Sequence, residues 1–375
     1  MFNSKYFPQR VYIEKGSLNF PLTQRVLKNI GQVPTEVLED TTSLLENMRI
    51  SRDVIEQGKK VLLLTSQRGE FIKSCPCTPG YIGCNYYIIN LDLNCPLDCS
   101  YCILQHYLSN PLITVNVNLE DLWSQLDVFL KRNKERILRI GTGELADSLA
   151  LDHLTEHSIN LISYFRDKSN AIFELKTKTV NINNVLKIKP ARNIVIAWSL
   201  NSSKIAQEEE IGAPPVIERI NAASKVSERG FLVGFHFDPL IRYPEWEKDY
   251  REVIKKMLET VDPTGIAWIS LGSLRFPPSL KAIIKKRFPG TKIIYDELIK
   301  GKDGKLRYFK PLRIELYKKI IGYIRDFGGE QIPLYFCMEN EEVWRDVMGW
   351  VPRGKENLEA YLSFPLDQSK IKLIY

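Results

Sequence analysis

Between Leu119 and Leu130, Leu119, Leu122, Leu126, Phe129 and Leu130 fall at the spacing of one helix face. Two short apolar runs flank this helix, Tyr86–Leu91 before it and Ile137–Ile140 after it, and both read as buried strands. From there the two periods alternate. Helices are predicted over 153–166, 215–229, 243–261 and 278–288, and strands over 171–178, 194–201, 231–237 and 265–271. Residues 292–295 are expected to be extended, and 103–108 to form a helical turn. Strand–helix alternation of this kind predicts a parallel sheet, closed or partly closed, in an α/β fold.

The two ends read differently. Val33-Pro34-Thr35-Glu36, followed by Val37, Leu38, Leu44 and Leu45, predicts a helix start, and Lys59–Thr65 a strand. Residues 1–74 carry no motif and are expected to be an N-terminal extension on a main domain covering 75–298. In the C-terminal region, 299–375, Asp303-Gly304 between polar and aromatic flanks predicts a β-hairpin. A long helix over 311–327 and a short strand over 335–338 follow.

Composition narrows the class without deciding it. The 375 residues are 44% hydrophobic and 26% charged, as in soluble globular proteins. No apolar run approaches a membrane span and the first residues lack a signal-peptide core, so a cytoplasmic protein is expected. Fifty-two basic against 45 acidic residues give +7, which permits a polyanionic partner without demanding one. Six of the seven cysteines lie between Cys75 and Cys102, a density that fits a cofactor in a reducing compartment better than a disulfide framework.

The chemistry concentrates in Cys95-Pro-Leu-Asp-Cys99-Ser-Tyr-Cys102. Three thiolates on one short loop are soft ligands of the kind iron–sulfur clusters take. Three cysteines leave one iron of a 4Fe–4S cluster open to a small chelating molecule with an amine and a carboxylate. A zinc site is the competing reading, with Cys75, Cys77 or Cys84 as further ligands, and inert thiols a third.

Other candidates surround this loop in the predicted order. In Gly141-Thr-Gly143-Glu144 the glycines let the backbone pass close to a ligand, and Glu144 can accept hydrogen bonds from an ammonium group. A plain tight turn with a solvated Glu is the alternative. Lys176 and Lys178 share one strand face, as do Ser199 and Asn201. With strand ends at one rim, Lys178, Ser199 and Asn201 are candidates for a carboxylate and ribose hydroxyls, or else polar ends meeting water. His106, His153, His157 and His236 form no metal-ligand pattern, and Asp238 ends a strand as a substrate contact or a cap. Lys300, Lys302, Lys305, Arg307 and Lys310, with Tyr308 and Phe309, surround the predicted hairpin. Such a patch suits a phosphate backbone and base stacking, or is a solvated face.

The C-x3-C-x2-C spacing with Tyr101 before the last cysteine resembles the radical S-adenosylmethionine (SAM) superfamily. That resemblance implies a partial (β/α)6 barrel, a 4Fe–4S cluster on Cys95, Cys99 and Cys102, and SAM on the open iron. An electron from the cluster then cleaves SAM to a 5′-deoxyadenosyl radical. Gly143 and Glu144 stand where the superfamily has a Gly-Gly-Glu-like motif for the SAM amino group.

From about residue 75 to 350 the chain further resembles the spore photoproduct lyase family. The carrying stretches are Cys95–Gln105, Asp152-His153-Leu154, Lys176-Thr-Lys178, Trp198-Ser-Leu-Asn201 and Pro239–Trp246. Members of that family repair a thymine dimer in DNA. The radical abstracts a hydrogen, the crosslink fragments, and a cysteine returns a hydrogen atom. Aligned on Asp152-His153-Leu154, Glu144 falls where the family has that cysteine. Of its two tyrosines flanking the last cluster cysteine, Tyr101 is kept and Ile103 replaces the other. Cys337, or Cys84, is the candidate substitute donor, with Tyr101 beside it in the relay. The resemblance implies DNA as partner and a one-electron donor such as a flavodoxin or ferredoxin. Two alternatives are a radical SAM enzyme acting on a peptide or small molecule, and a non-enzymatic iron–sulfur or zinc protein.

Overall fold

The structure, a computed structural model, describes residues 5–48, 53–328 and 331–363. Its N-terminal strands β1 (Arg10–Glu14), β2 (Thr35–Leu38) and β3 (Val61–Thr65) run parallel, with β1 in the middle. The expected helix start at Val33 is thus a strand. Thr35 and Val37 pair with Val11 and Ile13, and the helix begins only at Thr42. β-Branched residues after Pro34 and an available edge on β1 outweigh the apolar period read from sequence.

Five short strands follow: β4 (Ile72–Ser74), β5 (Tyr86–Ile89), β6 (Asp92–Leu93), β7 (Asp98–Cys99) and β8 (Ile113–Asn116). β8 joins β3 in parallel and β6 pairs with β8, so the N-terminal sheet has the order β2-β1-β3-β8-β6. The chain enters the Cys95–Cys102 loop from β6 and passes on to β8, so one sheet holds both sides of the loop.

The second sheet adds β9 (Leu138–Gly141), β10 (Ala171–Thr177), β11 (Ile194–Ser199), β13 (Leu232–Leu240) and β14 (Ile266–Ser273). A two-residue strand β12 (Glu210–Ile211) lies between β11 and β13 in the chain and pairs with β7 in the cysteine loop. After β15 (Arg275–Phe276) come the hairpin strands β16 (Leu298–Lys300) and β17 (Leu306–Tyr308), then β18 (Leu334–Phe336). The large sheet has the order β18-β14-β13-β11-β10-β9-β5-β4. From β5 through β18 every pairing is parallel and follows chain order, as βα crossovers require. It is the expected α/β partial barrel. Its open side lies between β4 and β18, bridged where Ile82 pairs with Glu339.

Helix Leu119–Arg132 buries Leu122, Leu126 and Leu130 against the sheet, as its period predicts. The helix expected over 153–166 is two, Asp152–Thr155 and His157–Phe165. They break at Glu156 (φ 55°), where the Asp152 carboxylate caps the second helix by accepting from Ser158 N at 2.7 Å. Residues 292–295 turn rather than extend. No helix among the described residues is long and apolar enough to cross a membrane.

Candidate active site

The loop carrying Cys95, Cys99 and Cys102 is held through its carbonyls. Lys59 Nζ donates to the carbonyls of Cys95 (2.8 Å) and Leu97, and the Gln105 amide donates to those of Cys99 (3.2 Å), Ser100 (2.9 Å) and Cys102 (3.3 Å). Arg287 braces both supports, reaching Gln105 Oε1 and forming an ion pair with Asp98 at 2.9 Å. With the carbonyls occupied, the three thiols are free, and they pack together with Leu97 and Ala213. Burial raises the Cys99 thiol to about 12, against the pull of Lys178.

Beside the loop stands a buried charge cluster. The Tyr101 hydroxyl donates to Glu210, whose carboxylate also meets Arg219 Nη1 at 2.6 Å and Lys178 Nζ at 4.0 Å. Lys178 Nζ lies 5.7 Å from the Tyr101 ring. Burial pulls the Lys178 pKa down, but Glu210 outweighs it and leaves the amine raised, hence charged. Glu210 arrives through β12, which pairs Glu210 with Cys99.

Across the rim, the turn after β9 is fixed by Asp147, which accepts from Leu149 N, Ala150 N, Thr177 Oγ1 and Lys178 N at 2.7–3.0 Å. Gly141 is obligatory, since a Cβ there would come within 1.9 Å of Tyr86 Oη. Gly143 packs against Lys176, which forms an ion pair with Glu144. Ser199 ends β11, and its carbonyl accepts from Arg219 at 3.1 Å. The Asn201 side chain is already engaged: it donates to Pro239 O at 3.1 Å and accepts from Ser202 N and Tyr250 Oη.

The third wall is formed at the ends of β13, β14 and β18. Asp238 and Arg275 form a two-pronged ion pair at 2.9 and 3.0 Å, and Arg275 Nη2 lies 3.2 Å from Cys337 Sγ. Burial holds the Cys337 thiol well above its ordinary value despite Arg275. Below the rim, Glu174 accepts from His236 Nε2 (2.8 Å) and Trp268 Nε1 (3.1 Å), with Arg139 at 4.0 Å. His153 bonds Tyr6 O and Asn181, and His157 meets Asp92, which gives both a structural place.

The fold agrees with comparison against known proteins. The sequence model of the family described as spore photoproduct lyase matches residues 6–321. The chain belongs to the spore photoproduct lyase family. It is therefore a radical SAM enzyme. A spore photoproduct lyase of Clostridium acetobutylicum is 25% identical over 332 residues, 88% of this chain and 96% of that protein. One from Geobacillus sp. is 28% identical over 302 residues, covering 78% and 86%. A solved spore photoproduct lyase variant with bound AdoMet and dinucleoside spore photoproduct shares the fold, with TM-score 0.76 at 24% identity. That match covers 88% of this chain and 99% of the other.

Within the family frame, three features escaped sequence reading. Glu210 sits in the run Gln207-Glu208-Glu209-Glu210, which resembles a solvated helix end. Glu208 is exposed, yet Glu209 and Glu210 are buried, Glu209 bonding Ser100 Oγ and Thr291 Oγ1. Arg219 and the Arg139–Glu174 pair were equally silent. The hairpin forms as expected, but its basic set divides. Arg307 is buried against Asp303 and lies 4.4 Å from the Tyr81 ring, and Lys310 pairs with Glu342. Among the described residues, Lys300, Lys302 and Lys305 have no carboxylate partner, and Phe309 is exposed.

Proposed function

We propose that this protein is a radical SAM lyase that reverses a thymine-dimer lesion of the spore photoproduct class in DNA. The observation that carries this reading is the Cys95–Cys102 loop: three free thiols gathered on a backbone whose carbonyls are already bonded, at the mouth of a partial barrel. The donor set fits a 4Fe–4S cluster with one open iron. When bound, the cluster and SAM supply reductive cleavage and a hydrogen-abstracting adenosyl radical.

The chain's own residues then have separable tasks. Glu144, steadied by Lys176 and reached past Gly143, accepts hydrogen bonds from the SAM ammonium group. Lys178, kept charged by Glu210, attracts the carboxylate. Ser199 faces the ribose side, and Asn201 acts by fixing the rim to Pro239 and Tyr250. Tyr101 is oriented by Glu210 next to the last cluster cysteine. Cys337 supplies the returning hydrogen atom: its S–H bond breaks, a C–H bond forms on the substrate, and the odd electron stays on sulfur. A hydrogen-atom donor must be a thiol rather than a thiolate, and burial keeps Cys337 in that form. The exposed lysines of the hairpin meet the phosphate backbone, and a low-potential electron carrier such as a flavodoxin or ferredoxin reduces the cluster.

Anaerobic incubation of the reduced, reconstituted protein with SAM and dinucleoside spore photoproduct tests the reading. The expected products are 5′-deoxyadenosine and the restored thymine pair. Formation of 5′-deoxyadenosine with the lesion left intact would overturn the substrate assignment.

A further inference from the structure

On one side the cysteine loop lies close under the surface. β12 pairs Glu210 with Cys99 and Ile211 with Asp98, neighbouring strands lying about 4.8 Å apart. Two residues on, Ala213 packs with Leu97 against the thiols of the loop. Gly212 (φ 82°) turns the chain between them, so that Ala213 is buried while Ile211 is 48% exposed. Here a single strand separates the thiols from solvent. Glu209 fastens that wall to the loop. Its carbonyl accepts from Ser100 N at 2.8 Å, and its carboxylate accepts from Ser100 Oγ and, at 2.7 Å, from Thr291 Oγ1.

Ile211 and Glu209 line a groove of about 1070 Å³ between helix Ser203–Glu209, residues 242–246 and residues 288–296. The chemistry above makes no use of it. Its exposed apolar surface comes from Ile211 and Tyr295. Four lysines surround that surface. Lys204 and Lys292 line the groove, and Lys281 Nζ lies 5.8 Å from the Tyr295 ring. Lys285 follows Lys281 one turn along the same face of helix Pro278–Arg287. Among the described residues none of the four has a carboxylate partner. Arg242 also lines the groove but pairs with Glu315 at 3.4 Å. Glu208 and Asp296 stand among the lysines and are outnumbered by them.

We propose that this groove and its lysines are the docking surface for a small acidic protein that delivers one electron to the cysteine loop. The inference rests on the cluster proposed above for Cys95, Cys99 and Cys102. One electron passes from the reduced carrier to the oxidised cluster; the carrier is oxidised, the cluster is reduced, and no bond or proton changes at the interface. An exposed apolar centre ringed by one sign of charge, over the thinnest part of the wall, suits such a transient complex. Electron-transfer pairs bury less than about 1,200 Å² and rely on complementary charge for their encounter. Glu208 and Asp296 favour a protein, whose surface carries both signs, over a phosphate backbone that is negative throughout.

Flavodoxin is the probe. The affinity of the reconstituted native chain for flavodoxin should fall as salt rises. Lys204→Glu, Lys281→Glu, Lys285→Glu and Lys292→Glu combined should weaken that affinity at least about tenfold. The same variant should form 5′-deoxyadenosine at least about tenfold more slowly with reduced flavodoxin, and at the native rate with dithionite. If it fails to fold, Lys281→Ala with Lys292→Ala, which adds no charge, is read for the same split. Native flavodoxin affinity in the variant would overturn the inference, as would an equal loss with both reductants. Weakened binding to duplex DNA with flavodoxin binding unchanged would overturn it and make the groove a nucleic-acid surface. A native chain that forms no 5′-deoxyadenosine with dithionite would remove the cluster reading itself, and this inference with it.

Discussion

Glu210 ties the cysteine loop to the rim through Tyr101 and Lys178. It is 1% exposed and meets Arg219, itself fully buried, together with Lys178 and Tyr101. Replacing it by Gln leaves two buried cations without their anion, the case in which breaking an ion pair costs about 3–5 kcal/mol. Chemical denaturation of the apoprotein should show a loss of that size for Glu210→Gln, and an unchanged midpoint would contradict the cluster described. Cys337 makes a separate prediction. Cys337→Ala should still form 5′-deoxyadenosine but restore thymine at least about tenfold less, the equivalent of about 1.4 kcal/mol in the barrier. An unchanged ratio of the two products would assign the hydrogen return elsewhere. The contrast between these residues marks what was legible. Cys95, Cys99 and Cys102 announce themselves because all three thiols sit within one loop. Glu210 does not, because its partner Tyr101 is 109 residues away and its neighbours Glu208 and Glu209 make it look like surface charge.

At the scale of elements, the alternation of β9, β10, β11, β13 and β14 with helices was readable because each period is long and these strands are largely buried on both faces. Shorter pieces were not. β2 turned on an edge offered by β1, and the Glu156 break on a cap between Asp152 and Ser158. β12 exists only because the cysteine loop pairs with it. The turn after β9 gives a sharp test. In Gly141→Ala the new methyl meets the Tyr86 hydroxyl and, at 2.5 Å, the Glu174 carbonyl, a backbone atom of β10 that cannot yield. Overpacking of this kind costs about 1–3 kcal/mol, read as a lower denaturation midpoint. The barrel floor predicts the acid response. Burial alone would raise Glu174, but His236 and Arg139 outweigh it and hold the carboxyl well below its usual range. Such a group stabilises the fold above the unfolded-chain value near about 4.3 and loses that contribution as pH falls, because the unfolded chain binds the proton first. The melting temperature of the apoprotein should therefore be steady from about pH 7 to about 5 and decline below about 4. A rise on acidification would contradict the paired state of Glu174.

For the whole molecule, a net charge of +7 becomes informative only once the lysines are sorted by partner. The hairpin's Arg307 and Lys310 are spent on Asp303 and Glu342, leaving Lys300, Lys302 and Lys305 to face a polyanion. Replacing these three by Ala should reduce the slope of log affinity for duplex DNA against log salt by about 2–3. An unchanged slope would move the DNA surface elsewhere. The arrangement as a whole is a partial barrel whose N-terminal sheet grips the cysteine loop from both sides and whose rim gathers Glu144, Lys178, Tyr101 and Cys337. On the proposed function, Cys95, Cys99 and Cys102 hold a cluster with an open iron. The most direct test is electron paramagnetic resonance of the reconstituted, reduced protein with and without SAM. A reduced 4Fe–4S signal that changes when SAM is added, and is lost in Cys99→Ala while the fold persists, is the predicted result. A signal indifferent to SAM, or one untouched by Cys99→Ala, would contradict it.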